Sequence, residues 1–119
     1  MVKYCLFCCY LVRLEPNVTY GAIEIWTEDK YQLVCADDFD DVAAKVVCKA
    51  AGFQNGISIC CSAFGDMSYS IGYYGIGCQG DEASILDCEY KAGIGQCRSN
   101  KYASVACSDQ PASGGLWNF

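Results

Sequence analysis

Apolar and polar positions in this chain follow two different periods. Segments 20–26 and 31–35 are short, rich in β-branched and aromatic residues, and separated by the polar stretch Thr27-Glu28-Asp29-Lys30, so they predict a β-hairpin. The period then changes. From Val42 to Ala51, residues Ala43, Val46, Val47 and Ala50 fall on one stripe at helical spacing, while Lys45 and Lys49 fall away from it. Asp40 or Asp41 offers the N-cap of that helix, and Gly52 can take the left-handed position that closes it.

Between Gln54 and Gly77 no period persists. Glycine, serine and tyrosine dominate, which predicts a long irregular loop with short strand pieces that cross-links must hold. A short second helix is expected from Asp81 to Cys88 and a last strand from Ala103 to Cys107. At the start, Lys3 precedes an apolar run from Tyr4 to Val12 containing Cys5, Cys8 and Cys9. Such a run is too short to span a bilayer. It reads as a signal-peptide remnant or upstream sequence, although no small-residue cleavage site follows. Residues 1–11 are therefore set apart, 12–108 form the expected domain, and 109–119, with Gln110 to Gly115, read as linker or tail.

A length of 119 residues, 53% of them apolar, suits one domain with a real core. A net charge of −6 disfavours nucleic acid, whose phosphates need a basic footprint, and simple docking on anionic membranes. The absence of histidine removes the usual serine and cysteine dyads and the usual zinc enzymes, so the chain is not expected to be an enzyme. Carboxylates alone can run a glycosidase, but a small cross-linked module offers no evident substrate cleft. Eleven cysteines point to an oxidising compartment. Asn17-Val18-Thr19 is a glycosylation acceptor, consistent with secretion. Without Cys5, Cys8 and Cys9 an even eight cysteines remain, compatible with full pairing.

Six cysteines stand in spaced pairs: Cys35 and Cys48, Cys78 and Cys88, Cys97 and Cys107. The first pair encloses Ala-Asp-Asp-Phe-Asp-Asp-Val-Ala-Ala-Lys-Val-Val, the second encloses Gln-Gly-Asp-Glu-Ala-Ser-Ile-Leu-Asp, and the third closes on Ala-Ser-Val-Ala-Cys. With Gly21-Ala22-Ile23-Glu24-Ile25 and Lys49-Ala50-Ala51-Gly52 in register, the chain from Val12 to Ser108 resembles a scavenger receptor cysteine-rich (SRCR) domain. The resemblance implies an α+β fold in which a curved antiparallel sheet cradles one main helix. It also implies bridges joining Cys35 to Cys97, Cys48 to Cys107 and Cys78 to Cys88. Phe53, and Thr19 with Tyr20, stand where a longer version of the family carries a further cysteine pair, so the six-cysteine version is expected. A zinc cluster fits poorly, because the domain has no Cys-x-x-Cys knuckle.

Cys60 and Cys61 belong to neither version. They are open to a vicinal bond, to free thiols, or to cross-links with Cys5, Cys8, Cys9 or another chain; without a histidine or adjacent lysine to lower a thiol pKa, a redox role is disfavoured. In the family, acidic residues after the first cysteine and the glutamate of Cys-x-Gly-x-Glu form a calcium site, which the resemblance carries to Asp37, Asp38 and Glu82. Ala36 stands where the first acidic residue is usual, so Asp38 substitutes for it or the site is lost. Oxygen ligands without histidine suit calcium. Asp40 and Asp41 are explained by helix capping alone.

Tyr69, Tyr73 and Tyr74, with Met67 and Ile71, are either a recognition surface or the cover of a small core. Lys91, Arg98 and Lys101 are a basic cluster for anions or an ordinary solvated surface. The function expected is an extracellular binding module, secreted or part of a membrane protein's ectodomain. Its partners would be polyanionic, microbial or protein ligands, with calcium as the one cofactor expected. The alternatives are a host-protein adhesion domain and an accessory domain of a larger secreted or membrane-bound enzyme such as a protease.

Overall fold

A computed structural model describes residues 12–17, 19–27 and 29–109. The apolar run with Cys5, Cys8 and Cys9, the tail from residue 110, Val18 of the sequon and Glu28 of the hairpin turn lie outside them. Among the described residues, seven strands and one α-helix follow in the order β1 (Val12–Pro16), β2 (Tyr20–Thr27), β3 (Lys30–Val34), α1 (Asp41–Ala50), β4 (Asn55–Ile59), β5 (Ile71–Gly77), β6 (Glu89–Ala92) and β7 (Ser104–Ser108). The sheet order is β4-β7-β2-β3-β5-β6, with β1 also on β2.

Strand β2 is the hub. Its residues from Gly21 to Ile25 pair with β1, while its start pairs with β7 and its end with β3. The two flanks of β2 are thus both occupied, and Ala22, Ile23, Glu24 and Ile25 are all buried. Alternation fails here because both faces of the sheet are covered. Every named pairing is antiparallel except β3 with β5, which is parallel and shifts register between Leu33 and Val34.

Helix α1 closes one face. Asp40 is its N-cap, accepting from the Ala43 amide at 3.0 Å, and Gly52 follows its end at φ +100°. Asp41 is not the cap; its carboxylate accepts from the amide and hydroxyl of Ser58, at 2.8 and 3.0 Å, and ties the helix start to β4. The buried stripe is wider than the sequence suggests, since Ala44 and Cys48 join Ala43, Val46 and Val47, while Ala50 is half-buried. Gly56 lets β4 come this close: a Cβ there would collide with Cys48 Sγ and the Ala44 carbonyl. The main core contains Ile23, Ile25, Val34, Val47, Tyr73, Ile76, Ile85 and Val105.

The other face is covered by a loop. Met67, Tyr69 and Ile71 pack on Ala22, Leu33 and Tyr102 to form a second, smaller core. Beside it the buried Glu24 carboxylate accepts from Arg13 Nε at 2.7 Å, and the Arg13 guanidinium lies 3.7 Å from the Tyr31 ring centre. The region 54–77 thus contains two strands around a loop, and the expected second helix is one 3-10 turn, Ile85–Asp87, capped by Ser84.

Candidate ligand-binding site

Three bridges stand among the described residues, Cys35–Cys97, Cys48–Cys107 and Cys78–Cys88, and the adjacent Cys60 and Cys61 lie against each other at the end of β4. In the chain-entropy picture the two long bridges each restrict the unfolded chain by about 4 kcal/mol and the short one by about 3, though nested loops do not add. Their placement matters more than their sum. Cys35–Cys97 fastens the turn after β3 to the irregular segment 93–101, which has no regular secondary structure of its own. Two hydrogen bonds repeat the connection: the Ala36 amide donates to the Lys101 carbonyl at 2.8 Å, and the Ser99 amide to Asp37 Oδ2 at 3.1 Å.

These segments, with the middle of β5 and Lys91 of β6, wall an open cleft of about 800 Å³ lined by Asp37, Asp38, Tyr74, Lys91, Arg98 and Ser99, among others. Two carboxylates and two cations therefore share one concavity. Lys101, the third member of the basic cluster, does not line it. Hydrogen bonds from the Ser99 hydroxyl and amide hold the Asp37 carboxyl below the usual carboxylate range, and the nearby Arg98 charge adds to this. Asp37 is thus ionised whenever the fold is intact at neutral pH.

Glu82 sits elsewhere. Its two oxygens accept from the amides of Gln79 and Gly80 at 2.8 and 2.9 Å, which lowers its pKa, the Gln79 bond being the largest cause. It closes the turn before the 3-10 helix. Among the described residues two sets of candidate ligand atoms come within 4.8 Å of one another, Cys35–Asp37–Cys97 and Cys78–Glu82–Cys88. The cysteines in each are bonded to each other, so neither offers a thiolate. Asp37 and Glu82 fall in different sets, and the three carboxylates do not meet at one point. Of the three, Asp37 and Asp38 line the cleft and Glu82 does not.

The tyrosines divide. Tyr73 is buried in the main core, Tyr69 covers the second core, and Tyr74 faces the cleft. Asn17 is exposed, and its Oδ1 accepts from the amide and hydroxyl of Thr19 at 2.9 and 3.0 Å. A second cleft of about 450 Å³ lies beyond segment 93–101, lined by Leu33, Asp66, Met67, Tyr69, Ile94 and Tyr102, among others. Sequence reasoning passed over Ser99, Gln96 and Ile94. Ile94, more than half exposed between Gly93 and Gly95, carried the one available signal: an apolar residue at a turn, where nothing local would bury it.

Residues 15–108 match the family model "Scavenger receptor cysteine-rich domain". The chain belongs to the SRCR domain family. The match spans most of the chain. Lysyl oxidase homolog 2 of Bos taurus is 36% identical over 82% of this chain, and macrophage receptor MARCO of Mus musculus is 31% identical, also over 82%. The matched stretches are 13% and 18% of those proteins, so the chain spans a small part of the curated relatives. The crystal structure of the dimeric form of the SRCR domain of mouse MARCO superposes with a TM-score of 0.67 at 31% identity, covering 82% of this chain and 94% of that one. The SRCR fold, a curled sheet around one main helix with disulfide clamps, is thereby shown. Domains of this family are extracellular modules of secreted or membrane proteins. No helix among the described residues is long and apolar enough to cross a membrane.

Proposed function

We propose that residues 12–108 form a non-catalytic, extracellular ligand-binding module whose recognition surface is the cleft between Asp37–Asp38 and Lys91–Arg98. One observation carries this reading: the bridge Cys35–Cys97 and the Asp37–Ser99 bond hold charged side chains of both signs around one concavity without any regular element beneath segment 93–101. Charges of both signs gathered in one concavity select a partner by complementarity. The ligands that fit are polyanionic or microbial surfaces meeting Lys91 and Arg98, and proteins that present both signs. Secretion or display on a membrane-anchored parent, with a glycan on Asn17, belongs to the same reading.

Calcium is its finer part. A hard cation held by Asp37 and Asp38 would cancel the acidic half of the cleft and leave the basic half to meet an anion. Glu82 does not line this cleft and is left out of the ligand set in this reading. The test is retention on dextran sulfate beads against uncharged dextran. Lys91→Glu with Arg98→Glu should abolish retention and flatten its salt dependence, and millimolar calcium should raise Tm in the parent chain and in Glu82→Gln but not in Asp37→Asn. Unchanged retention of the double variant would remove the cleft from the function; an unchanged Tm would remove calcium.

A second reading is an accessory module of a larger enzyme or a host-protein adhesion domain. The likeness to lysyl oxidase homolog 2, of which the matched stretch is 13%, supports the accessory-module form of this reading. The full open reading frame separates the two.

A further inference from the structure

Arg13 shows how this fold holds a guanidinium. Its Nε donates to the buried Glu24 carboxylate at 2.7 Å and its Cζ lies 3.7 Å from the centre of the Tyr31 ring, so one cation has a carboxylate and an aromatic face as partners. Tyr31 in turn packs against Tyr69, with ring centres 5.7 Å apart. Tyr69 lines the second cleft, and so does Asp66. Ring and carboxylate therefore occur together a second time, one ring further along the surface. Here the cation is missing: among the described residues both ion pairs belong to Arg13, and the Asp66 carboxylate meets neither a cation nor a hydrogen-bond donor.

The rest of the cleft sets what a cation bound there must carry. Asp66, which is exposed, is the one charged side chain among the lining residues. Met67 and Ile71 line the cleft from the loop and the start of β5, and Ile94, more than half exposed, lines it from segment 93–101. An anion would meet Asp66 as a like charge. An uncharged apolar group would take water from the carboxylate and return no hydrogen bond. A cation on a carbon stem meets both demands, laying the stem on apolar surface and leaving its head at the solvated rim. A volume of about 450 Å³ suits one long side chain.

We infer that the second cleft is a binding site for an arginine side chain presented by a partner protein, its guanidinium meeting Tyr69 and Asp66 and its stem meeting Met67, Ile71 and Ile94. The planar guanidinium stacks on an aromatic face and pairs with a carboxylate at once, as Arg13 does; the compact, strongly hydrated ammonium of lysine does this less well. This site is distinct from the cleft at Lys91 and Arg98 and has the opposite preference, since its one charge repels polyanions.

The test is an amide-resolved NMR titration of the full chain with the peptide acetyl-Gly-Arg-Gly-amide, and with the same peptide carrying lysine or norleucine in place of arginine. The arginine peptide should give saturable shifts at the amides of Asp66, Met67, Tyr69, Ile94 and Gly95. The lysine peptide should bind several-fold more weakly and the norleucine peptide more weakly still. Asp66→Asn should weaken arginine binding about threefold to fivefold and remove its salt dependence, as for a partly solvated ion pair. Ile94→Ser should weaken it several-fold and keep the salt dependence. Both positions are exposed, so both variants should retain the parent's amide spectrum elsewhere. Shifts confined to Asp38, Lys91 and Arg98, equal binding of the norleucine peptide, or unchanged affinity in either variant overturns the site. Lysine binding as tightly as arginine overturns the assignment of the guanidinium.

Discussion

On one face of the sheet, α1 lays Ala43, Ala44, Val47 and Cys48 against Ile23, Ile25, Val34 and Val105; on the other, segment 60–71 lays Met67, Tyr69 and Ile71 against Ala22, Leu33 and Tyr102. The first face is a regular element meeting a regular element, with its cap, its C-terminal glycine and its bridge to β7 in agreement. The second is an irregular loop held by hydrogen bonds to Tyr102 and by the Tyr20–Phe64 and Tyr31–Tyr69 ring contacts. Burial of apolar area is shared by both, but only the first would form from local propensity; the second depends on a framework already built. The clefts lie where the chain is held by cross-links and hydrogen bonds and not by periodicity.

The comparison breaks first at the helix. Val47→Asp buries an unpaired carboxylate in the main core and should cost about 4 kcal/mol or more, so secretion should fail. Lys45→Glu on the exposed side of the same helix should stay within about 0.5 kcal/mol and secrete normally. Equal yields of the two variants would mean the helix is not oriented as described. Removing Cys48 and Cys107 together, as alanines, should cost about 2–5 kcal/mol in denaturant unfolding, since this bridge joins α1 to β7.

Smaller effects sharpen the picture. Asp40→Ala should lose about 1 kcal/mol, read as a fall in denaturation midpoint with unchanged slope, because one helix N–H loses its acceptor. Asp37 gives a pH signature in place of a large stability change. Its folded-state pKa lies below the unfolded value, so its contribution is present above the unfolded pKa and is lost as pH falls through the folded one. An acid titration of Tm should therefore show a shallower acid limb in Asp37→Asn than in the parent chain, and identical limbs would place the hydrogen bonds from Ser99 elsewhere.

The helix was legible because its stripe, its cap and Gly52 agree at one period, and the fold class followed from cysteine spacing with the residues between. The region after Gln54 was not. In β5, Gly72, Gly75 and Gly77 leave no side-chain alternation to read, and Gly75 sits at φ +64°. Strand β6 is exposed along its whole length, so no apolar alternation marks it. At the second expected helix, the Glu82 carboxylate turns back to the amides of Gln79 and Gly80, and only three residues take helical geometry. The acidic set was legible as residues but not as geometry: the motif said nothing of the hydrogen bonds that engage Asp37 with Ser99 and Glu82 with Gln79 and Gly80.

The hub strand has one mechanical consequence. Strands β1 and β7 both run antiparallel to β2 and hence parallel to each other, with Val12 level with Ile25 and Ala106 level with Tyr20. The two ends of the domain leave β2 at opposite extremities. Tension between Val12 and Ser108 would therefore pull β1 and β7 along their axes in opposite directions, loading the cross-strand bonds of β2 together instead of peeling them one after another. A module in this arrangement can transmit force through a longer chain while its clefts, carried on segments outside that path, keep their shape.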